Sequence, residues 1–82
     1  MSVATVPSVH LSADGQSLWI GSCNCADRNG VDRRSRAASI NGAKRAYERA
    51  NGVTLTLASR SYSETWGFLH SSEFRYEVRP AS

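Results

Sequence analysis

The sequence predicts a two-layer α/β sandwich of the α+β class, in which one amphipathic helix packs on a four-stranded, largely antiparallel sheet in the order ββαββ. Three observations carry this prediction: a hairpin signal at Asp14-Gly15, a helical apolar period that ends at Asn51-Gly52, and two alternating apolar strands near the end of the chain. We expect a single small domain, because 82 residues bury only about 60% of their unfolded surface around one modest core.

The first hairpin is predicted over residues 8–22. Asp14 and Gly15 stand between alternating apolar residues, and both tolerate the positive φ angles of a two-residue type I′ turn. Such a turn sets the register, which pairs these residues across the strands: Val9 with Ile20, Leu11 with Leu18, and His10 with Trp19. The two apolar pairs then share one face of the sheet.

The helix is predicted over residues 32–51, with Asp32 as its N-cap and Ser35 as the alternative. Gly52 follows the last turn, where glycine adopts the left-handed conformation that ends many helices. Small and apolar residues recur at helical spacing along one side: Ala37, Ile40, Ala43, Tyr47 and Ala50. Because alanines dominate this side, we expect the helix to lie close to the sheet.

The second hairpin is predicted over residues 53–80. Apolar residues alternate with polar ones in both of its strands, with Val53, Leu55 and Leu57 in the first and Phe74, Tyr76 and Val78 in the second. Residues 60–73 either form a long loop or lengthen both strands, with Thr65-Trp66-Gly67 at the tip. The order of the four strands in the sheet stays open.

Positive charge is concentrated in one segment of the chain. The formal net charge is +3, but residues 28–49 hold seven basic residues against two acidic ones. The side chains expected to bind an anionic partner are Arg33, Arg34, Arg36, Lys44, Arg45 and Arg49. Arginine pairs bidentately with phosphate or carboxylate, so a basic helix side suits nucleic acid or an acidic protein surface. A solvated helix face is the alternative.

Two other surfaces are candidates for binding. On the open sheet face, opposite the helix, we expect His10, Trp19, Arg75 and Arg79. An aromatic ring among arginines is typical of base-stacking sheets, although we favour a simple packing pair of His10 with Trp19. In the second hairpin, Tyr62 and Trp66 are expected as protein-interface anchors, and Phe68 and Leu69 as core residues.

Catalysis, a metal site and a cofactor are not expected. Cys23 and Cys25 are two residues apart, and a strand points such neighbours to opposite faces, so we expect two reduced thiols. Zinc needs two further ligands, and only His10 and His70 are at hand, both distant in sequence. The chain has no GxSxG, P-loop or HExxH motif, which favours a protein that is not an enzyme.

The sequence predicts no membrane partner. No apolar run approaches the roughly 18 residues that a membrane span requires. The first eleven residues lack the basic and apolar regions of a secretory signal, so we expect a cytoplasmic protein.

These patterns favour a non-enzymatic binding protein that docks its basic helix onto nucleic acid or a nucleic-acid-handling protein complex. In size and ββαββ order the chain is similar to short phage-encoded accessory and inhibitor proteins, some of which block CRISPR surveillance complexes. This resemblance is architectural and transfers no residue. It implies an alternative, an anti-CRISPR-like inhibitor of a host defence complex that acts through the loop at Trp66 or a sheet edge. A structural homodimer is the third hypothesis, because the edge strands of so small a sheet are unprotected.

Overall fold

A computed structural model of the chain describes residues 7–25, 31–65 and 69–81, and covers the backbone alone at residues 24–25, 31–33, 64–65 and 69. The elements are β1 (Ser8–Leu11), β2 (Ser17–Cys25), α1 (Val31–Asn51), β3 (Val53–Thr65) and β4 (Leu69–Pro80). The four strands form one antiparallel sheet, and α1 packs on β2, β4 and β3. The predicted two-layer α+β arrangement is confirmed.

The strand order in the sheet is β1-β2-β4-β3. β4 therefore lies in the centre and pairs antiparallel with both β2 and β3. As a result β2 and β3 run parallel to each other, with α1 as the connection between them, which is a split β-α-β unit. β1 and β3 are the two edges of the sheet.

The register of the first hairpin is confirmed. Val9 pairs with Ile20 and Leu11 pairs with Leu18, so all four side chains lie on the same face of the sheet as α1. Leu18 and Ile20 are fully buried there, whereas Val9 and Leu11 on β1 are exposed. The difference arises because α1 packs over β2 and the strands beyond it, and β1 lies outside that cover.

The predicted two-residue turn in this hairpin is wrong. The Gly15 amide donates a hydrogen bond to the Ser12 carbonyl at 3.0 Å, so Ala13 and Asp14 are the central residues of the turn. Gly15 follows them with a φ of +72°, which is typical of longer hairpin loops. The Asp14 carboxylate accepts hydrogen bonds from the Ser12 hydroxyl and the Gln16 amide, and both hold the pKa of this carboxyl below its ordinary value.

α1 ends as predicted but begins earlier. Gly52 has a φ of +63°, and its amide donates to the Glu48 carbonyl at 2.9 Å, which closes the last turn. The helix begins at Val31, so Asp32 and Ser35 both lie within it and neither is the N-cap.

The side of α1 that packs on the sheet is shorter than predicted. Ile40 is fully buried, and Ala43 and Tyr47 pack against the core. Ala50 is exposed, because it lies in the last turn of the helix, beyond the part that packs on the sheet. The core is completed by apolar residues of the sheet, namely Leu18, Ile20, Leu55, Phe74 and Tyr76.

The second hairpin is the long one of the two alternatives, since both strands extend far beyond their apolar segments. Tyr62, which falls in the segment that the sequence left open between loop and strand, therefore lies within β3. The predicted tip at Trp66, and Phe68 beside it, lie outside the described residues. Leu69 begins β4, and its backbone alone is described.

A β-bulge at Ala58 interrupts the pairing of β3 with β4. Leu57 pairs with Tyr76 and Ser59 pairs with Arg75, so Ala58 is an extra residue without a partner in the ladder. Because one residue is inserted, the alternation changes phase there. Odd-numbered residues of β3 face α1 before the bulge, and even-numbered residues face that side after it.

Candidate anion-binding groove

The predicted basic residues of α1 lie in different environments. Arg34, Arg45 and Arg49 are exposed, and Lys44 is half-buried. The side chain of Arg33 lies outside the described part of the structure. Ion pairs with acidic residues are absent for Arg34, Arg45 and Arg49 among the described residues. Within that part of the chain, no acidic side chain pairs with the positive charge of these helix arginines.

Arg36 does not belong to this exposed set. Its side chain is only 2% exposed, and its Nε donates a hydrogen bond to the Ser72 Oγ on β4 at 2.8 Å. The reason is its position: Arg36, Ile40, Ala43 and Tyr47 follow one another at i, i+4, i+7 and i+11, which is the buried stripe of the helix. Arg36 is thus part of the packing between α1 and the sheet and is not available to a partner.

A groove of about 460 Å³ lies between α1 and β3, on the face of the sheet that carries the helix. It is lined by residues of α1, β3 and β4, namely Arg34, Ala37, Asn41, Lys44, Leu55, Leu57, Arg60, Tyr62, Phe74 and Tyr76. The open side of the groove is at β3, where Leu57 and Tyr62 are exposed. This volume lies within the range of small-molecule sites in proteins.

The charge of the groove is positive. Arg34 and Lys44 of α1 and Arg60 of β3 line it, and the described lining residues include no acid. Glu48, outside the lining, lies with its Oε2 3.6 Å from the Lys44 Nζ and accepts a hydrogen bond from the Leu55 amide at 2.9 Å. One of the three cations is therefore partly neutralised, and the groove keeps a net positive charge.

Aromatic rings lie beside these cations. The Arg60 guanidinium carbon is 5.5 Å from the centre of the Phe74 ring, which is a cation–π contact. The Tyr62 ring meets Phe74 at 86°, with the ring centres 6.3 Å apart. Burial raises the pKa of the Tyr76 hydroxyl, so this group stays neutral at physiological pH. The groove thus combines cations with ring surfaces.

The bulge at Ala58 creates one wall of this groove. It turns Arg60 and Tyr62 toward α1, opposite Phe74 and Ser72 of β4. Arg60 was not among the binding residues that the sequence predicted, and Tyr62 was expected as a protein-interface anchor. A signal was present, because the apolar alternation stops at Leu57 and resumes one residue out of phase at Tyr62.

The open face of the sheet has mixed charge. His10 and Trp19 form a cross-strand ring pair, with centres 6.0 Å apart and a tilt of 43°. Arg79 pairs with Glu77 at 3.2 Å, and the Arg75 Nε lies 3.4 Å from the Ser59 Oγ. The four predicted sheet-face residues do share this face, but acidic side chains lie among them, which suits an anionic partner less well than the groove does.

Other chemistry is sparse in the described part of the chain. Cys23 is exposed and carries a free thiol. Within the described ranges, no three His, Cys, Asp or Glu residues come together as metal ligands. The described part of the chain contains no helix that is long and apolar enough to cross a membrane.

Comparison of the chain with protein-family models, curated proteins and solved structures gives no match.

Proposed function

We propose that this protein is a non-enzymatic binding module that holds an anionic macromolecule against α1 and the groove beside it. The observation that supports this most directly is the convergence of Arg34, Lys44 and Arg60 on a groove whose described lining contains no acid. Clustered cations in a recess attract an anionic group more strongly than isolated surface charges, because water screens them less.

The groove continues into the exposed side of α1. Arg34, Asn41, Arg45 and Arg49 follow one another at i, i+7, i+11 and i+15, a stripe about 22 Å long. The Arg45 Nε lies 3.4 Å from the Asn41 carbonyl, which holds this side chain along the helix. A positive surface of this length suits an extended polyanion better than a single small ion.

The test compares two matched double variants of the full chain. Arg34→Ala with Arg60→Ala removes two cations from the groove, and Arg75→Ala with Arg79→Ala removes two from the opposite face. Binding of labelled mixed-sequence RNA and DNA and of poly-glutamate is measured between about 50 and about 200 mM salt. We expect at least one polyanion to bind, with an affinity that falls steeply as salt rises.

The groove variant should weaken that binding about tenfold and flatten its salt dependence, while the opposite-face variant should stay near wild type. Circular dichroism establishes that both variants keep the fold. The proposal is wrong if no polyanion binds at low salt, or if both variants lose affinity equally.

The edge strand β1 favours a second candidate, a homodimer. Val9 and Leu11 are 47% and 44% exposed on β1, and among the described residues this strand pairs only with β2. Two copies related by a twofold axis can pair their β1 strands and shield these apolar side chains. The anti-CRISPR-like alternative acts through a sheet edge, such as β1, or through the loop at Trp66, which lies outside the described residues.

A further inference from the structure

We infer that the groove binds an extended acidic segment of a partner protein, which adds a fifth strand to the outer edge of β3. This inference rests on the proposed function and names the partner as a protein. β3 is an outer strand of the sheet, and among the described residues it pairs only with β4. The groove lies between α1 and β3 and opens at that edge, so an added strand would lie along its open side.

The backbone of β3 has hydrogen-bonding groups that point away from the sheet. The Leu55 amide donates to the Glu48 Oε2 at 2.9 Å, so this amide is not directed at β4. In an antiparallel pair, residues that face away from the partner strand alternate with residues bonded to it. Leu57, two residues later and still before the bulge, therefore also directs its amide and carbonyl outward. Because Glu48 covers the edge at Leu55, the edge that the described residues leave open to another strand begins at Leu57.

The apolar part of the groove suits the side chains of such a strand. Leu57 is 40% exposed beside the outward backbone, whereas Leu55 and Tyr76, which also line the groove, are buried. Alternate side chains of an added strand point to the face that carries α1, so every second residue would enter the groove. An apolar residue opposite Leu57 would shield it from water. In strand addition, backbone bonds supply affinity and these alternate side chains supply specificity.

The cations of the groove favour acidic residues in the added strand. Arg60 lies on β3 on the side of α1, and Arg34 and Lys44 approach from the helix. A carboxylate opposite Arg60 would therefore meet positive charge from both walls. Opposite charges across neighbouring strands stabilise the pairing, and arginine binds a carboxylate through two parallel hydrogen bonds.

Two features of this edge disfavour pairing with a neutral or basic strand. The bulge at Ala58 interrupts the regular edge, and Arg60 places a charge beside it. Both are features by which proteins limit unspecific pairing of edge strands. An acidic strand compensates the charge and so gains over its competitors. The exposed strand β1 of a second copy contains no acid and lacks this advantage.

A nucleic acid is the competing partner, and it would use the groove differently. Its phosphates accept hydrogen bonds and donate none, so they pair with the arginines and cannot satisfy the outward carbonyls of β3. Nucleic-acid binding would therefore depend on the cations and be indifferent to the backbone amide of Leu57. This difference makes the Leu57 amide the group that separates the two partners.

The experiment titrates the full chain with a blocked peptide of about eight residues, a usual strand length. Glutamate and valine alternate on one face of the peptide, and threonine occupies the other face. Two matched peptides are the controls, one with N-methyl groups on its amides and one with glutamine in place of glutamate. Fluorescence anisotropy gives the affinities, and hydrogen exchange measured by NMR follows the amides of Leu57 and of Leu11 at the opposite edge.

Three variants of the chain accompany the peptides. Leu57→Pro removes the outward amide of β3, and Leu57→Ala shortens the side chain but keeps the amide. Leu11→Pro makes the same change at the opposite edge. The neighbouring Ser12 amide bonds to the Ser17 carbonyl of β2, so the Leu11 amide also points outward. Circular dichroism verifies the fold of each variant.

We expect the acidic peptide to slow exchange of the Leu57 amide about tenfold or more and to leave the Leu11 amide unchanged. N-methylation, glutamine and Leu57→Pro should each weaken peptide binding about tenfold, because each removes backbone bonds or charge pairing. Leu57→Ala should weaken binding less, and Leu11→Pro should bind like wild type. If Leu57→Pro fails to fold, the N-methylated peptide and the exchange of the Leu57 amide decide the question.

The inference is overturned if the N-methylated or the glutamine peptide binds as well as the parent peptide. Unchanged exchange of the Leu57 amide, or a folded Leu57→Pro that binds like wild type, would overturn it as well. Binding of mixed-sequence RNA or DNA in place of the peptide would assign the groove to nucleic acid and leave the proposed function standing. Failure of the peptide, poly-glutamate, RNA and DNA alike to bind at low salt would remove both.

Discussion

The hydrogen bond between Arg36 and Ser72 ties α1 to the central strand β4. A guanidinium is costly to bury, and hydrogen bonds to its donors offset that cost. The Ser72 hydroxyl meets the Nε of this side chain, and the serine is itself only 2% exposed. The contact therefore orients the first half of the helix on the sheet, beside the groove.

Ser72→Ala tests this contact. We expect it to lower the free energy of unfolding by about 1.5–3 kcal/mol, because it removes a buried hydrogen bond to a charged group. Ser61→Ala removes an exposed hydroxyl that meets the Glu73 carbonyl at 3.3 Å, and it should cost at most about 0.5 kcal/mol. Urea denaturation measures both, and similar losses would show that the buried contact contributes little.

At the scale of the elements, one inserted residue gives β3 two different faces. Before Ala58 the strand contributes Leu55 to the core, and after it the same side carries Arg60 and Tyr62. A strand in continuous alternation would instead turn Ser59 and Ser61 toward α1. The bulge therefore converts the distal part of a core strand into a wall of the groove.

Gly42 in the middle of α1 gives a prediction for the helix. It is exposed, and a Cβ placed on it meets nothing within 4 Å. Gly42→Ala should therefore raise the free energy of unfolding by about 1 kcal/mol, since alanine restricts the unfolded chain and suits a helix.

The matched control is Gly52→Ala, measured by the same thermal or urea unfolding. Space is also open there, but the φ of +63° is strained for any residue with a Cβ, so this change should destabilise the protein. A loss of stability in Gly42→Ala would contradict the open, helical environment of residue 42.

At the scale of the whole molecule, the basic groove and the edge strand β1 are separate surfaces. The arginines of the groove lie on α1 and β3, whereas Val9 and Leu11 are exposed on β1, at the other edge of the sheet. Anion binding at one edge and self-association at the other therefore use different surfaces. The two proposals do not compete for the same residues.

Self-association through β1 has its own test. We expect Leu11→Lys to abolish the concentration-dependent dimerisation of the wild type in sedimentation velocity experiments, because a charge would replace one of the apolar side chains that the pairing shields. Leu57→Lys is the matched control, since Leu57 is similarly exposed at the opposite edge strand and should leave the dimer intact. A wild type that is monomeric at every concentration would contradict the homodimer.

Features that depend on neighbours in the chain were predictable. The pairing of His10 with Trp19 and the end of α1 at Gly52 follow from local periods and from the backbone freedom of glycine. The turn at Asp14 was misassigned although its register was right, because a four-residue loop and a two-residue loop can leave the strands in the same register.

The sequence by itself determined the α+β class, the first register, the helix end and the concentration of cations in one segment. Only the tertiary structure decided the strand order, the burial of Arg36 and the meeting of Arg34 with Arg60 in one groove. The physical reason is that the backbone geometry of a helix or strand sets the period of its side chains, which the sequence displays locally. Which cations become buried and which share a groove depends instead on where α1 lies across strands that are distant in sequence, and on one bulge that reverses the faces of β3.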